Sequence, residues 1–277
     1  MRKPDTWPAV RQILEIHRRY GKDSGPHFAA ALTYYAILSV FPLLLLALAL
    51  AGYVLADAGR EDAARLADRL ARDVPGLGPL IGRDVEAVIR RRGLAGLIGI
   101  AGIVWGGTGG IAATREALGK VFRFDVPINT FVARLHSLGL LVVLGPLALL
   151  SVAATGLATN IGSAETPSRW LLSLGGLVVG FALDVALFAL VYRVFVPAGV
   201  ARTRALWPGA LFSAAGFTLV KLLGSAYAHY VVQRASMIYG TFAGIIGALV
   251  VLNLSATIFL YGAELTAIRL GRRRAAT

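Results

Sequence analysis

The chain carries 277 residues, 57% of them hydrophobic and 16% charged, with a mean hydropathy of +0.69. Charges so few and so clustered exclude an ordinary soluble globular protein, and the absence of Cys excludes disulfides and thiolate chemistry. A net charge of +13 would suit a nucleic-acid binder, but Lys and Arg gathered at cytoplasmic membrane borders give the same balance, and several uncharged runs exceed the ~20 residues that cross a bilayer.

Residues 1–27 form a polar lead-in. Within 5–22, Trp7, Val10, Ile13, Leu14 and Ile16 fall along one side of a helix, with Arg11, Arg18, Arg19 and Lys22 mostly elsewhere. This reads as a basic amphipathic helix on a membrane surface, the alternative being a solvated basic lead-in. No cleavable signal is expected, because the first apolar run is too long for a signal core.

The first expected span is 28–56, uncharged throughout. Pro42 has no N–H for the carbonyl of Leu38, which predicts a kink, and Tyr35, Ser39 and Pro42 share a face at spacings of four and three. Residues 57–92 alternate charges with apolar residues at helical spacing around Pro75, Gly76, Gly78 and Pro79, so two amphipathic helices are expected in this outer loop. The second span, 93–114, holds eight glycines, and Gly99, Gly102, Gly106 and Gly109 make a face that admits a close neighbour. The run around Gly106 is no phosphate loop, since Gly119-Lys120 lacks the upstream glycine and the following Ser or Thr.

A short basic loop then leads to a third span at 135–162, broken by Gly145-Pro146. Spans follow at 170–196, with Asp184 near the centre, at 207–232, with Lys221 near the centre, and at 239–268, before a basic tail at 269–277. Six spans put both termini on one side. The short loops on that side carry six, four, two and four Lys or Arg, against one each in the opposite short loops, which predicts cytoplasmic termini; Arg90, Arg91 and Arg92 dissent.

A charge in mid-span costs ~3 kcal/mol even on insertion scales, so Asp184 and Lys221 need partners or a task. They lie at similar depth in consecutive, antiparallel spans, on the stripes Ser173-Gly176-Gly180-Asp184 and Lys221-Ser225-His229. Asn253 marks the middle of the last span, with Thr257 and Glu264 within roughly 40° of its face at ~100° per residue. One reading is a structural ion pair with interhelical hydrogen bonds that fix register. The other is a polar pathway lined by Asp184, Lys221, Ser225, His229, Asn253, Thr257, Tyr35 and Ser39. Glu264, near the inner interface and shortly before Arg269, is expected to be structural and to reach water or a cation.

Nothing points to hydrolysis. The four histidines, His17, His27, His136 and His229, are scattered, and no metal-ligand motif or catalytic constellation is present, so no metal, cofactor or nucleic acid is expected.

Three stretches resemble the YihY/BrkB family of bacterial inner-membrane proteins: Ala31 to Leu44 with Ser39 and Pro42, Trp207-Pro208-Gly209-Ala210-Leu211, and Tyr239 to Gly244 with Leu260-Tyr261-Gly262-Ala263-Glu264-Leu265. The resemblance runs over most of the chain. It implies a six-helix bundle with cytoplasmic termini and little settled biochemistry, a ribonuclease label standing beside suggestions of solute or lipid transport. Family members often carry aromatic residues in the middle of the last span, where this chain has Val251 and Asn253. The expectation is therefore an all-α polytopic membrane domain over 1–277. It would handle a lipid, small solute, ion or anionic headgroup, or else act as a non-transporting scaffold for envelope partners, with a homo-oligomer left open.

Overall fold

The computed structural model describes residues 8–57, 85–124, 130–161, 167–197, 203–227 and 237–274. Every regular element among them is helical: α1 (Pro8–Lys22), α2 (Gly25–Asp57), α3 (Val85–Phe122), α4 (Thr130–Ile161), α5 (Pro167–Phe195), α6 (Thr203–Tyr227) and α7 (Met237–Arg274). Long uninterrupted helices are what a bilayer demands, because no water is present there to satisfy a broken backbone. Four of them contain stretches long and apolar enough to cross, Arg91–Phe122, Trp170–Phe195, Arg204–Tyr227 and Ala243–Gly271, and α4 holds a shorter apolar stretch, Val142–Gly156.

Apolar side chains face outward along these helices. Trp105 is 72% exposed and Val142 72%, and Leu97, Leu171, Leu172, Val178, Ile246 and Val250 are exposed as well, while Ser151, Asp184, Ser213, Glu264 and Thr266 are buried. Large apolar side chains turned outward, with polar groups kept inside beside an apolar core, are the distribution of a lipid-facing protein.

Packing divides the chain into two compact units, residues 1–33 with 111–277, and residues 34–110. In the larger unit α4 packs on α5, α5 on α6, and α6 on α7, with α1 against α7. Its core is aromatic: Tyr192 stacks on Phe259, Phe259 on Phe188, and Phe188 meets Phe217 edge-on. The Tyr192 hydroxyl donates to the carbonyl of Phe259 at 2.7 Å and lies 3.0 Å from Ser213 Oγ, tying α5 to both α6 and α7. Glycines let α6 and α7 touch backbone to backbone there. A methyl on Gly262 would fall within 2.7 Å of the Gly209 carbonyl oxygen and on top of Ser213 Oγ.

In the smaller unit, α2 and α3 pack along the expected glycine face. Gly102 faces the Pro42 ring, Gly106 faces Ser39, and Gly109 faces the Tyr35 ring. Helix α2 runs on through Pro42.

Several boundaries differ from expectation. Helix α3 continues past 114 to Phe122 because Ala117, Leu118, Val121 and Phe122 form a buried apolar stripe at helical spacing, so Arg115 and Lys120 ride on a helix rather than a loop. Helix α7 likewise continues through Arg269 to Arg274, since a run of Arg does not break a helix. The lead-in forms helix α1, and Tyr20, absent from its expected apolar stripe, carries it onto α7. Tyr20 stacks on Tyr261 with centroids 4.5 Å apart, and His17 Nδ1 lies 2.7 Å from the Tyr261 hydroxyl. Of the outer loop expected at 57–92, residues 85–92 are the first turns of α3 and not part of a separate amphipathic helix, because nothing between Val85 and Gly93 breaks the helix, and 58–84 lie outside the described residues.

Candidate intramembrane site

The small-polar stripe of α5 sets the site. Read down the helix, Ser173 Oγ donates to the Ala158 carbonyl at 2.8 Å, Gly176 rests against Ala158, Gly180 against Thr155, and Asp184 against Ser151. Residues 173, 176, 180 and 184 thus run antiparallel to 158, 155 and 151 of α4, two small-residue faces in register. A methyl on Gly180 would stand 2.6 Å from Thr155 Oγ1, so the close approach depends on glycine.

From α6, Lys221 reaches across to both helices. Its Nζ lies 2.8 Å from Asp184 Oδ2 and donates to Asp184 Oδ1 at 3.0 Å, to Ser151 Oγ at 2.7 Å and to Thr155 Oγ1 at 2.9 Å. Thr218, on the same face of α6, donates to Asp184 Oδ2 at 2.7 Å, and Ser151 donates to Asp184 Oδ1. Thr155 passes its own proton to the Ser151 carbonyl at 3.0 Å. The ammonium thus has acceptors for all three N–H groups, and each carboxylate oxygen receives both an ammonium and a hydroxyl. Such complete pairing offsets the cost of taking both groups out of water. The Phe217 ring, 5.2 Å from Nζ, adds a cation–π contact.

Asp184 is fully buried, but Lys221 keeps 9% of its side chain exposed. That exposed portion faces a cleft of about 550 Å³ between α4, α6 and α7. Its walls are mostly apolar, Val152, Phe217 and Val251 among them, and Lys221, Thr155, Ser225, Tyr227 and Ser255 supply its polar groups.

The other sequence-derived candidates distribute differently. Ser225 shares the cleft but is exposed and donates to its own helix, to the Leu222 carbonyl at 2.9 Å. His229 lies outside the described residues. Asn253 does not join Lys221: it is exposed, and its Nδ2 donates to Thr33 Oγ1 of α2 at 3.3 Å. The reason is phase, since the cleft-lining Val251 and Ser255 are each two residues away, which puts Asn253 ~160° round the helix from both. Thr257 faces α1, its Oγ1 3.5 Å from the Tyr20 hydroxyl. Tyr35 and Ser39 belong to the smaller unit, where Ser39 Oγ donates to the Tyr35 carbonyl at 2.9 Å, and Pro42 packs there against Gly102.

Glu264 is more deeply buried than its place near the interface suggests, with Arg19 and Arg123 as the cations near it. It is 1% exposed, and neither carboxylate oxygen has a hydrogen-bond partner among the described residues. Arg269 follows by five residues, ~140° round the helix, and is exposed, so it cannot serve this carboxylate.

A model of the family "Virulence factor BrkB" matches residues 16–277. The chain belongs to the BrkB family. Among curated relatives, inner membrane protein YhjD of Escherichia coli (strain K12) is 25% identical over 236 residues, covering 78% of this chain and 68% of the relative. The ribonuclease-like protein YfkH of Bacillus subtilis (strain 168) is 23% identical over 271 residues, covering 95% and 96%. No solved structure matches. BrkB membership, the inner-membrane relative and the apolar helices together make this a membrane protein. The ribonuclease-like wording belongs to a distant relative's name.

The BrkB chain's site includes three residues that reading the sequence did not single out, Ser151, Thr155 and Thr218. A signal was present for the first two, since Ser151, Thr155 and Ala158 repeat the small-polar spacing of the Asp184 stripe one span earlier. Thr218 stands three residues before Lys221 and was legible only once Asp184 was known to face α6.

Proposed function

We propose that this BrkB family protein handles an acyl-bearing amphiphile with an anionic group, held in the cleft between α4, α6 and α7. The observation that carries the reading is that an apolar cleft of about 550 Å³ reaches Lys221, the cation of an otherwise buried network. Its apolar walls accept hydrocarbon, and the partly exposed ammonium offers charge to an anion in a low-dielectric setting. An entering anion would compete with Asp184 for Lys221, leaving Ser151 and Thr218 to hold the carboxylate. The proposal includes six spans with both termini in the cytoplasm of a bacterial inner membrane, supported by the short-loop excess of Lys and Arg.

The test is substrate-resolved. Lipids that copurify with the parent and with Lys221→Met would be compared by mass spectrometry, and labelled-lipid movement followed in proteoliposomes. Loss of a retained anionic lipid and of movement on Lys221→Met, in folded protein, supports the reading. Equal retention and movement in both proteins overturns it.

A scaffold without transport is favoured by a different observation, the complete internal pairing of Lys221 and Asp184. If the pair serves only structure, an apolar double replacement would keep both fold and cellular function.

A further inference from the structure

A second cavity, remote from Lys221 in the sequence, lies where α1 and the C-terminal ends of α3 and α7 come together. It has a volume of about 320 Å³ and is lined by Arg19, Val121, Phe122, Arg123, Leu270 and Gly271. The apolar membrane-length stretch of α3 ends at Phe122 and that of α7 ends at Gly271, so the cavity stands at the border of two spans. Arginines gathered at the ends of spans stand where lipid headgroups are met.

Arginines near helix C-termini are favourable in themselves, so their position alone marks no site. Two further features do. Arg123 occupies the left-handed region, φ 56°, in the turn that ends α3, where the Phe124 N–H returns to the Gly119 carbonyl at 3.1 Å. That is the place where glycine normally sits, and here a long cation is kept instead. Beside it lies Glu264, 1% exposed, with Asp23 the charged group that acts on it most strongly and Arg19 and Arg123 acting in the opposite sense. Neither of its oxygens receives a hydrogen bond, from these arginines or from any other described residue. The guanidiniums therefore keep donors for something else: Arg19 spends one on Glu15 at 3.0 Å, and Arg123 makes no hydrogen bond or ion pair among the described residues.

We propose that this pocket binds the phosphate of an anionic phospholipid at the membrane border. The Arg19 and Arg123 guanidiniums take the phosphate oxygens, and Val121, Phe122 and Leu270 cover the first acyl carbons. Guanidinium forks match phosphate geometry, and the apolar half of the wall suits a lipid better than a free ion. A zwitterionic headgroup would set its ammonium against the same arginines.

The test uses the full-length protein in detergent, with binding of short-chain phosphatidylglycerol, phosphatidylcholine and inorganic phosphate each measured alone. Phosphatidylglycerol is expected to bind, and the Arg19→Gln/Arg123→Gly double variant to bind it at least ~10-fold more weakly. Arg123→Gly alone meets the objection that a variant merely unfolds, because glycine suits that backbone position, and it too should weaken binding. Arg269→Gln, exposed on α7 and outside the pocket, should change it by less than ~2-fold. Unchanged affinity in the double variant overturns the proposal, as does equal binding of phosphatidylcholine. Binding of inorganic phosphate as strong as that of phosphatidylglycerol overturns the lipid as the source of the phosphate.

Discussion

Lys221 and Asp184 are joined twice from the same helix: Lys221 Nζ lies 2.8 Å from Asp184 Oδ2, and Thr218, three residues before the lysine, donates to that oxygen at 2.7 Å. Two adjacent points of α6 thus grip one carboxylate of α5, while Ser151 and Thr155 bring α4 into the same network. The consequence is a three-helix clamp whose strength depends on every member being present.

Removing one charge should strand the other. Lys221→Met or Asp184→Leu alone is expected to cost ~3 to 5 kcal/mol, seen as a lowered melting temperature of the detergent-solubilised protein, while the double variant recovers most of the loss. Single variants as stable as the parent would refute a structural role for the pair. Recovery of stability without recovery of lipid movement would assign the pair to the cleft as well.

Ser151 is expected to matter more than its size suggests. It donates to Asp184 and accepts from Lys221, so Ser151→Ala removes one of two donors from Asp184 Oδ1 and one of the acceptors of the ammonium at once, at ~1 to 3 kcal/mol. Ser225→Ala, whose hydroxyl bonds only to its own helix in an exposed position, should be near neutral. Thermal melts of the two variants side by side decide the ranking.

The crossing of α6 and α7 predicts a steric penalty. Gly262→Ala should destabilise by ~1 to 3 kcal/mol, because its methyl meets Ser213 Oγ and the Gly209 carbonyl and the helices must separate. Gly139→Ala, with nothing within 4 Å, is the control and should be neutral or slightly stabilising. Equal melting temperatures for both would show that the crossing yields.

Glu264→Gln should leave stability unchanged or raise it. The side chain is buried with no hydrogen-bond donor on either oxygen, so an amide of similar shape forfeits no hydrogen bond there. A loss as large as that of Lys221→Met would mean that Glu264 has an essential partner.

Arg123→Gly is expected to stabilise the fold by ~1 kcal/mol, since only glycine adopts a positive φ without steric cost. A lowered melting temperature would mean that the arginine side chain itself holds the end of α3 in place.

Much of this protein is written locally. Hydrophobic runs of bilayer length fix helices, because a backbone in lipid must satisfy itself, and the short-loop excess of Lys and Arg argues for one orientation. The stripe ending at Asp184 was readable too, since small residues at spacings of three and four mean a close neighbour wherever they occur. What the chain in isolation did not disclose is which neighbour, because helical phase names a face and not the face opposite it. Asn253 looked central by depth and yet turns to Thr33, while Ser151, Thr155 and Thr218, unremarkable in sequence, complete the clamp. The depth of a residue follows from its place along one helix. Its partners follow from how several helices rotate and cross, and here glycine contacts such as Gly180 on Thr155 and Gly209 on Gly262 set that geometry by excluding every larger side chain.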